Sequence, residues 1–381
     1  MSERKDMPVA ERVVPTTAGT QDAVASDDYL TPGRLAWRRF RRSRLGMSSA
    51  IVVLLLYLSA LLAPFLSPHD PNKTVIDHVH APPQLPVFWD RGPCWPFVHP
   101  LVMDYTEDGF ERVYTPDRAE RHSIRFFVKG DPYQVLGLFT WDRRFVGTAN
   151  GAWFPLGTDR MGRDLLSRML HGGRISLTIG LVGVAITTFL GTLIGVISGY
   201  FGGVIDSVIQ RGIELLMSFP AIPLWMALAA ALPAHWSPVK IYFGIVTILS
   251  LIGWGGLARQ VRGMVLSLRE RDYIKASSGF GASNLHVMFR HLIPACSGYL
   301  IVVATLMIPA TILGETALSF LGLGIRPPMT SWGVLLEEAQ HIRVLVQFPW
   351  LLLPAVPVLL TVVSFNLAGD ALRDAIETST E

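Results

Sequence analysis

The chain alternates between long stretches without charge and shorter segments dense in it. Six of the uncharged stretches are long enough to cross a hydrocarbon core, which takes about 20 apolar residues. They fall at 47–66, within 175–205, at 215–234, 241–258 and 292–314, and between Arg343 and Asp370. The third contains Pro220 and Pro223. Each lacks a backbone donor, so a kink or break is expected there, tolerated where neighbouring helices re-satisfy the freed groups. The pattern predicts an all-α membrane protein with six transmembrane helices. The first apolar run exceeds the roughly 7–15 residues of a signal-peptide core, and its flanking arginines begin only at Arg34, so it is expected to remain as an anchor.

Composition sharpens this picture. Of 381 residues, 50% are hydrophobic and 17% charged, against about 25% charged in soluble domains, and the mean hydropathy is +0.38. Disorder of the whole chain, collagen-like repeats and a disulfide scaffold are excluded; Cys94 and Cys296 cannot build a framework. A net charge of +3 is too mild to argue for nucleic acid.

The distribution of charge is more telling than its sum. Arg34, Arg38, Arg39, Arg41, Arg42 and Arg44 precede the first span, while the loop 259–291 holds Arg259, Arg262, Arg269, Arg271, Lys275 and Arg290 against Glu270 and Asp272. Short basic segments stay cytoplasmic. Four spans separate the two, so they fall on one side, and six spans return the C-terminus there as well.

Residues 1–33, rich in Ser, Thr, Asp and Ala, are expected to form a disordered cytoplasmic tail. The basic segment and first span follow at 34–66. The loop 67–174 carries 13 Lys/Arg and 13 Asp/Glu, and within it 67–154 is expected to be an extracytoplasmic insert. Ile124, Phe126 and Val128 alternate as in a half-buried strand closed by a turn at Gly130-Asp131. A small folded domain with some β structure is favoured over a breaker-rich loop draped on the membrane. The remaining 155–378 form the membrane domain, with a basic loop at 259–294.

No Gly-Lys dipeptide occurs, so a phosphate-cradling G-x-x-x-x-G-K-[ST] is absent, as are HExxH, an EF-hand loop and GxSxG. His78 and His80, with His99 and His122, read as solvated loop histidines rather than a metal site. The chain is not expected to be an enzyme.

Gly191, Gly195, Gly199 and Gly203 recur every fourth residue in the second span, a spacing that lets another helix approach to backbone contact. Packing is the favoured reading, the lining of a conduit the other. In the basic loop, Asp272 opens a short helix, Gly279 and Gly281 interrupt it, and Ser283 or Asn284 can cap a second in which Leu285, Met288, Phe289 and Leu292 fall at i, i+3, i+4 and i+7. Such a stripe can lie on lipid, pack under its own bundle, or enter a partner's groove.

The segment 275–294 resembles the signature loop of permease subunits of binding-protein-dependent ABC importers, which reads E-A-A, three residues, Gly, nine residues, then an apolar tetrapeptide ending in Pro. Ala276, Gly281 and Pro294 match; Lys275 stands where the family has Glu, and Ser277 replaces the second Ala. PLGTDRMGRDLLSRMLHGGRISLTIGL from Pro155, SFPAIP from Ser218, GWGGLARQVRGMVLSLRERDY from Gly253, ETALSFLGLGIRPPMTSWG from Glu315 and FNLAGDALRDAI from Phe365 resemble the oligopeptide/dipeptide group, and within it the C-type subunit. The departures are Ala371 in place of Gly, the ETSTE ending, and an outer loop longer than usual, which resembles the subgroup for microcin-like or larger peptides.

The resemblance implies a type I importer permease fold in the bacterial inner membrane. It implies pairing with a homologous permease, two ATP-binding subunits that carry ATP and Mg, an extracytoplasmic substrate-binding protein, and no cofactor on this chain. The loop becomes an ATPase-coupling element carried by Lys275, Ala276, Gly281, Leu285, Met288, Phe289, His291 and Pro294, with Gly281 setting the angle between two half-helices. Glu315, an ionisable residue beside an apolar run, is expected to serve a structural or gating role at the outer end of the fifth span rather than to bind substrate. Asp370 and Arg373 are expected to pair at the end of the sixth. The rivals are a membrane-anchored scaffold acting through the insert, which would need only one span, and a secondary transporter, which would show inverted repeats.

Overall fold

The computed structural model describes residues 32–90, 92–107, 112–135, 139–148 and 152–377. Of the expected tail, 1–31 lie outside the described residues; Pro32 and Gly33 open a helix.

That helix, α1 (Pro32–Arg42), is basic and buries Ala36 and Phe40. Ser43 caps the next, its Oγ accepting from the Gly46 amide at 3.1 Å. The first span is α2 (Arg44–Leu61), extended by one turn, α3 (Ala63–Leu66). The second is α4 (Leu165–Phe201), capped by the Asp164 carboxylate. It ends because Gly202 and Gly203 both take positive φ, +65° and +55°. The third is a broken pair, α5 (Gly203–Met217) and α6 (Ala221–Ala230), bent by 84°. Only Pro220, at the N-cap of α6, coincides with the break. Pro223 lies in the first turn, where an amide has no helical partner to lose, so the kink expected from it does not arise. The fourth is α7 (Pro238–Leu268). After a short helix α8 (Asp272–Gly279), the fifth runs from α9 (Asn284–Val287) through a π-helical turn (Met288–Leu292) into α10 (Ile293–Phe320). Beyond α11 (Trp332–Glu337) and α12 (Ile342–Gln347), α13 (Ala355–Glu377) closes the bundle. Five helices and the bent pair therefore give the six spans.

α4 is the centre of the bundle, running parallel to α7 and antiparallel to α10. Ile179, Ile245, Leu249 and Leu318 are buried between them. α13 packs on α2 and α10. Ala371 is accommodated by Gly46: a Cβ on Gly46 would lie 2.5 Å from that of Ala371. Arg373 does not pair with Asp370; its Nε reaches Glu377 Oε1 at 2.7 Å, one turn on.

The insert is a folded β unit. Strands β1 (Val87–Trp89), β2 (Pro93–Val98), β5 (His122–Val135) and β6 (Phe139–Thr148) form an antiparallel sheet in the order β1-β2-β5-β6, and β3 (Leu101–Tyr105) with β4 (Arg112–Pro116) form a separate hairpin. Val98, Ile124 and Trp153 are its core. The turn expected at Gly130-Asp131 is instead a bulge within β5, where the register against β6 shifts between Lys129 and Tyr133. Gly130 opens the space that the Arg144 side chain crosses: a Cβ there would lie 2.7 Å from Arg144 Cγ. Phe126 does not face inward; its ring lies tilted against that of Phe145 at 5.6 Å, beside Phe127, which takes φ +55°.

Arg144 joins insert to bundle. Only 2% exposed, its guanidinium donates to the carbonyls of Pro64, Ser67 and His69, where the first span ends, and to that of Asp131. His78 and His80 are half-buried structural groups rather than solvated ones. His78 lies 5.1 Å from the Phe154 ring and His80 stacks on Phe348 at 4.1 Å. Burial pushes both imidazoles below their ordinary value. In the folded chain they resist protonation more than in the unfolded one, so their stabilisation is complete above about pH 6.5 and declines as pH falls towards the folded values. Limited proteolysis between the insert and the bundle is expected to accelerate on acidification through pH 6, and His78→Gln with His80→Gln to flatten that dependence.

Candidate functional site

The two ends of the bundle differ. The insert packs at one; the basic loop closes the other. In the loop, α8 ends on a Schellman closure: the Gly281 amide donates to Ser278 O at 3.0 Å and the Ala282 amide to Ser277 O at 3.2 Å. Gly281 sits at φ +84°, a conformation a β-carbon disfavours, and the next helix starts at once with Ser283 Oγ accepting from the His286 amide at 3.3 Å.

This hinge is bolted to the bundle. Ile274 of α8 and Val287, Met288, Leu292 and Cys296 are buried against Val196 of α4 and Leu257, Val261 and Val265 of α7. Met288 is therefore a core residue at 2% exposure, which corrects its place among the outward anchors. The expected stripe comprises two rows at i+4 spacing: the row 288, 292 and 296 faces the bundle with Val287, while the row 285 and 289 does not. Leu285 and Phe289 remain outward, at 66% and 56% exposure, as do Tyr273 and, at 93%, Phe280. Phe280 was not singled out from the sequence, where its only signal is an aromatic residue isolated between two glycines. Ala276 and Pro294 are exposed and His291 is half-buried, its Nε2 3.3 Å from Ser277 Oγ. Lys275 bonds not outward but to Glu270, Nζ to Oε2 at 3.0 Å, and this contact holds the Glu270 carboxyl below the usual carboxylate range.

A clasp supports the loop from beneath. The Arg262 guanidinium takes both oxygens of Asp206 at 2.5 Å, bidentate, and Arg269 donates to Gly199 O at 3.0 Å. These contacts tie the end of α4, the start of α5 and the end of α7, and no spacing rule in the sequence signalled them.

The glycine ladder is a packing face over three of its four rungs. A Cβ on Gly191 would meet Leu257 at 3.0 Å, on Gly195 the Ala258 carbonyl at 2.6 Å, and on Gly199 the Val265 Cβ at 2.8 Å. Gly203 falls outside it: the helix has ended and nothing lies within 4 Å. Gly195→Ala is expected to cost about 1–3 kcal/mol through forced separation of α4 and α7, read as a lower thermal midpoint in detergent. Gly212→Ala, inside α5 where a methyl meets nothing, should instead stabilise by about 0.4–1 kcal/mol.

Glu315 lies inside α10 rather than at its end, and is fully buried. Ser319 Oγ donates to its Oε1 at 2.6 Å and Ser176 Oγ to its Oε2 at 3.1 Å; Ser176 in turn accepts the Trp332 amide. The carboxylate thus knits α4, α10 and α11. Nearby, Asp159, Glu338 and Thr330 surround Arg168, which bonds Asp159 closely, Glu338 Oε1 at 3.2 Å and Thr330 Oγ1 at 3.0 Å. Arg163 adds a contact to Asp159 at 2.7 Å. Among the described residues no three His, Cys, Asp or Glu side chains converge as a metal would require.

The family profile of the binding-protein-dependent transport system inner membrane component matches residues 191–381, half of the chain and all of the loop. The chain belongs to this family of importer permeases. A second profile, the N-terminal transmembrane domain of oligopeptide transport permease C, matches 31–83, which places the permease in the oligopeptide branch. The permease is 42% identical over 239 residues to an oligopeptide transport permease of Haemophilus influenzae, covering 62% of this chain and 74% of that one. A glutathione transport permease of Pectobacterium atrosepticum is 36% identical over 246 residues, 65% and 79% of the two chains. A dipeptide transport permease of Bacillus subtilis is 30% identical over 344 residues, 90% and 84%. The permease is accordingly a multi-pass inner-membrane transport component, and the strands of its insert lie between the two profile matches.

Proposed function

We propose that the permease forms, with a homologous permease, the translocation pathway of an ABC importer for peptides or peptide-like solutes. Two separate ATP-binding subunits drive it from the loop end, and a substrate-binding protein delivers solute at the insert end. The observation that carries this reading is the loop: an exposed apolar set, Phe280, Leu285 and Phe289, stands on a hinge whose inner face is packed into α4 and α7. A displacement applied to such a knob is transmitted to two spans rather than absorbed locally. The loop's excess of arginine and lysine, with the arginines of α1, supports a cytoplasmic loop end and cytoplasmic termini, on the side where ATP is. The peptide class follows the oligopeptide branch and the names of the relatives.

Purification from native membranes in mild detergent tests the assembly. A homologous permease and a Walker-motif ATPase are expected to accompany the chain, and a Phe280→Ser, Leu285→Ser double variant to lose the ATPase while keeping the permease partner. Recovery of the chain alone would favour a scaffold acting through the insert.

A further inference from the structure

Where the first span leaves the membrane, a cleft of about 290 Å³ opens between three elements. Leu61, Leu62 and Phe65 line it from the end of α2 and from α3, Phe139 and Trp141 from β6, and Arg174 from the third turn of α4. We propose that this cleft binds one phospholipid, its phosphate held by Arg174 and its acyl chain laid along the first span.

Three observations converge on that occupant. The first is depth. At 37 residues α4 is about 55 Å long, well beyond the roughly 30 Å hydrocarbon core, so its first turns stand outside the membrane. Arg174 is the last charge before the uncharged stretch 175–205, which sets it at the boundary, level with the end of α2 that lines the same cleft. The second is the donor inventory. Neither the Arg174 guanidinium nor the Trp141 indole N–H has a hydrogen-bond or ion-pair partner among the described residues, so both are free to meet phosphate and ester oxygens. The third is continuity with the lipid-facing surface. Leu54, Leu58 and Leu61 form an exposed apolar stripe along α2 that runs into the cleft. Beyond it the rings of Phe65, Phe127 and Phe145 lie 5.7–6.3 Å apart. Aromatic side chains at this level, with an arginine beside them, are the groups that anchor proteins at the headgroup region.

The β5–β6 edge of the insert would then rest on the bilayer rather than stand in water. The site depends on the chain being embedded in a membrane and not on which solute it moves, so it survives a failed transport assay. Native mass spectrometry of the full-length chain, purified with whatever subunits accompany it and titrated with phosphatidylglycerol, tests it. One phospholipid should persist through detergent exchange. Arg174→Gln should weaken its binding about tenfold and Arg174→Lys much less, while Leu62→Trp, which fills the cleft, should abolish it without changing the subunit composition. Should Arg174→Gln fail to assemble, Trp141→Leu supplies the same comparison. Equal lipid occupancy in native and variant chains, displacement of the lipid by millimolar inorganic phosphate, or loss of a protein subunit instead of lipid in Leu62→Trp would each overturn the proposal.

Discussion

In proteoliposomes carrying the assembled importer, Gly281→Val is expected to leave insertion and assembly intact while uptake falls at least tenfold relative to ATP hydrolysed. The substitution meets no steric wall, since nothing lies within 4 Å of an added Cβ. Its whole effect is on the backbone: a β-branched residue at φ +84° costs about 1–3 kcal/mol. The chain can relieve this by giving up the paired Gly281 to Ser278 and Ala282 to Ser277 hydrogen bonds. The angle between α8 and α9 then changes, and Phe280 and Leu285 no longer point as one surface. Gly281→Asn separates geometry from damage, because asparagine tolerates the left-handed region and should retain most of the coupling. Normal uptake in the valine variant would sink the assignment of the hinge.

Arg168→Met is expected to be strongly destabilising at the opposite end, by about 3 kcal/mol, because it removes the most deeply buried cation from Asp159 and Glu338 and leaves the two carboxylates to the more peripheral Arg160 and Arg163. Arg168 is 4% exposed and Asp159 0%; Glu338 shares the same guanidinium. Burial, with the neighbouring Asp159 charge, already pushes the Glu338 carboxyl above its ordinary range, so removal of the arginine should protonate it first. Adding Glu338→Gln to Arg168→Met should recover part of the loss, since Asp159 and Arg163 then remain as a matched pair and the surplus carboxylate is gone. Thermal midpoints of the three forms in detergent measure this directly. No rescue in the double variant would mean that packing around Arg168, rather than charge, is what matters.

The spans were legible because membrane burial writes itself into the sequence as absence of charge, a signal that needs no period. Their boundaries were less so. α4 starts at Leu165, ten residues before its uncharged stretch, because charges mark the edge of the membrane and not of the helix. The hinge glycine could be read from spacing, since a left-handed position leaves few residue choices. Met288 could not: a stripe at i, i+3, i+4 and i+7 has two edges, and only the packing of α4 and α7 decides that the edge at 288 and 292 is covered and the edge at 285 and 289 is not. Nor could the Asp206–Arg262 clasp, whose partners lie 56 positions apart. The bulge in β5 hid behind a Gly-Asp pair that equally suits a turn, and only the space required by Arg144 decides between them.

The grip of Arg144 has a kinematic consequence. With one guanidinium closing on carbonyls from the last turn of the first span, the linker and the sheet, the insert has no hinge of its own towards that helix. When the bundle tilts, the sheet must swing with it as a lever arm. Its far strands then sweep a larger arc than any atom in the membrane. A spectroscopic pair placed between the insert and the proposed partner permease would therefore register small rotations of the spans as large changes in distance.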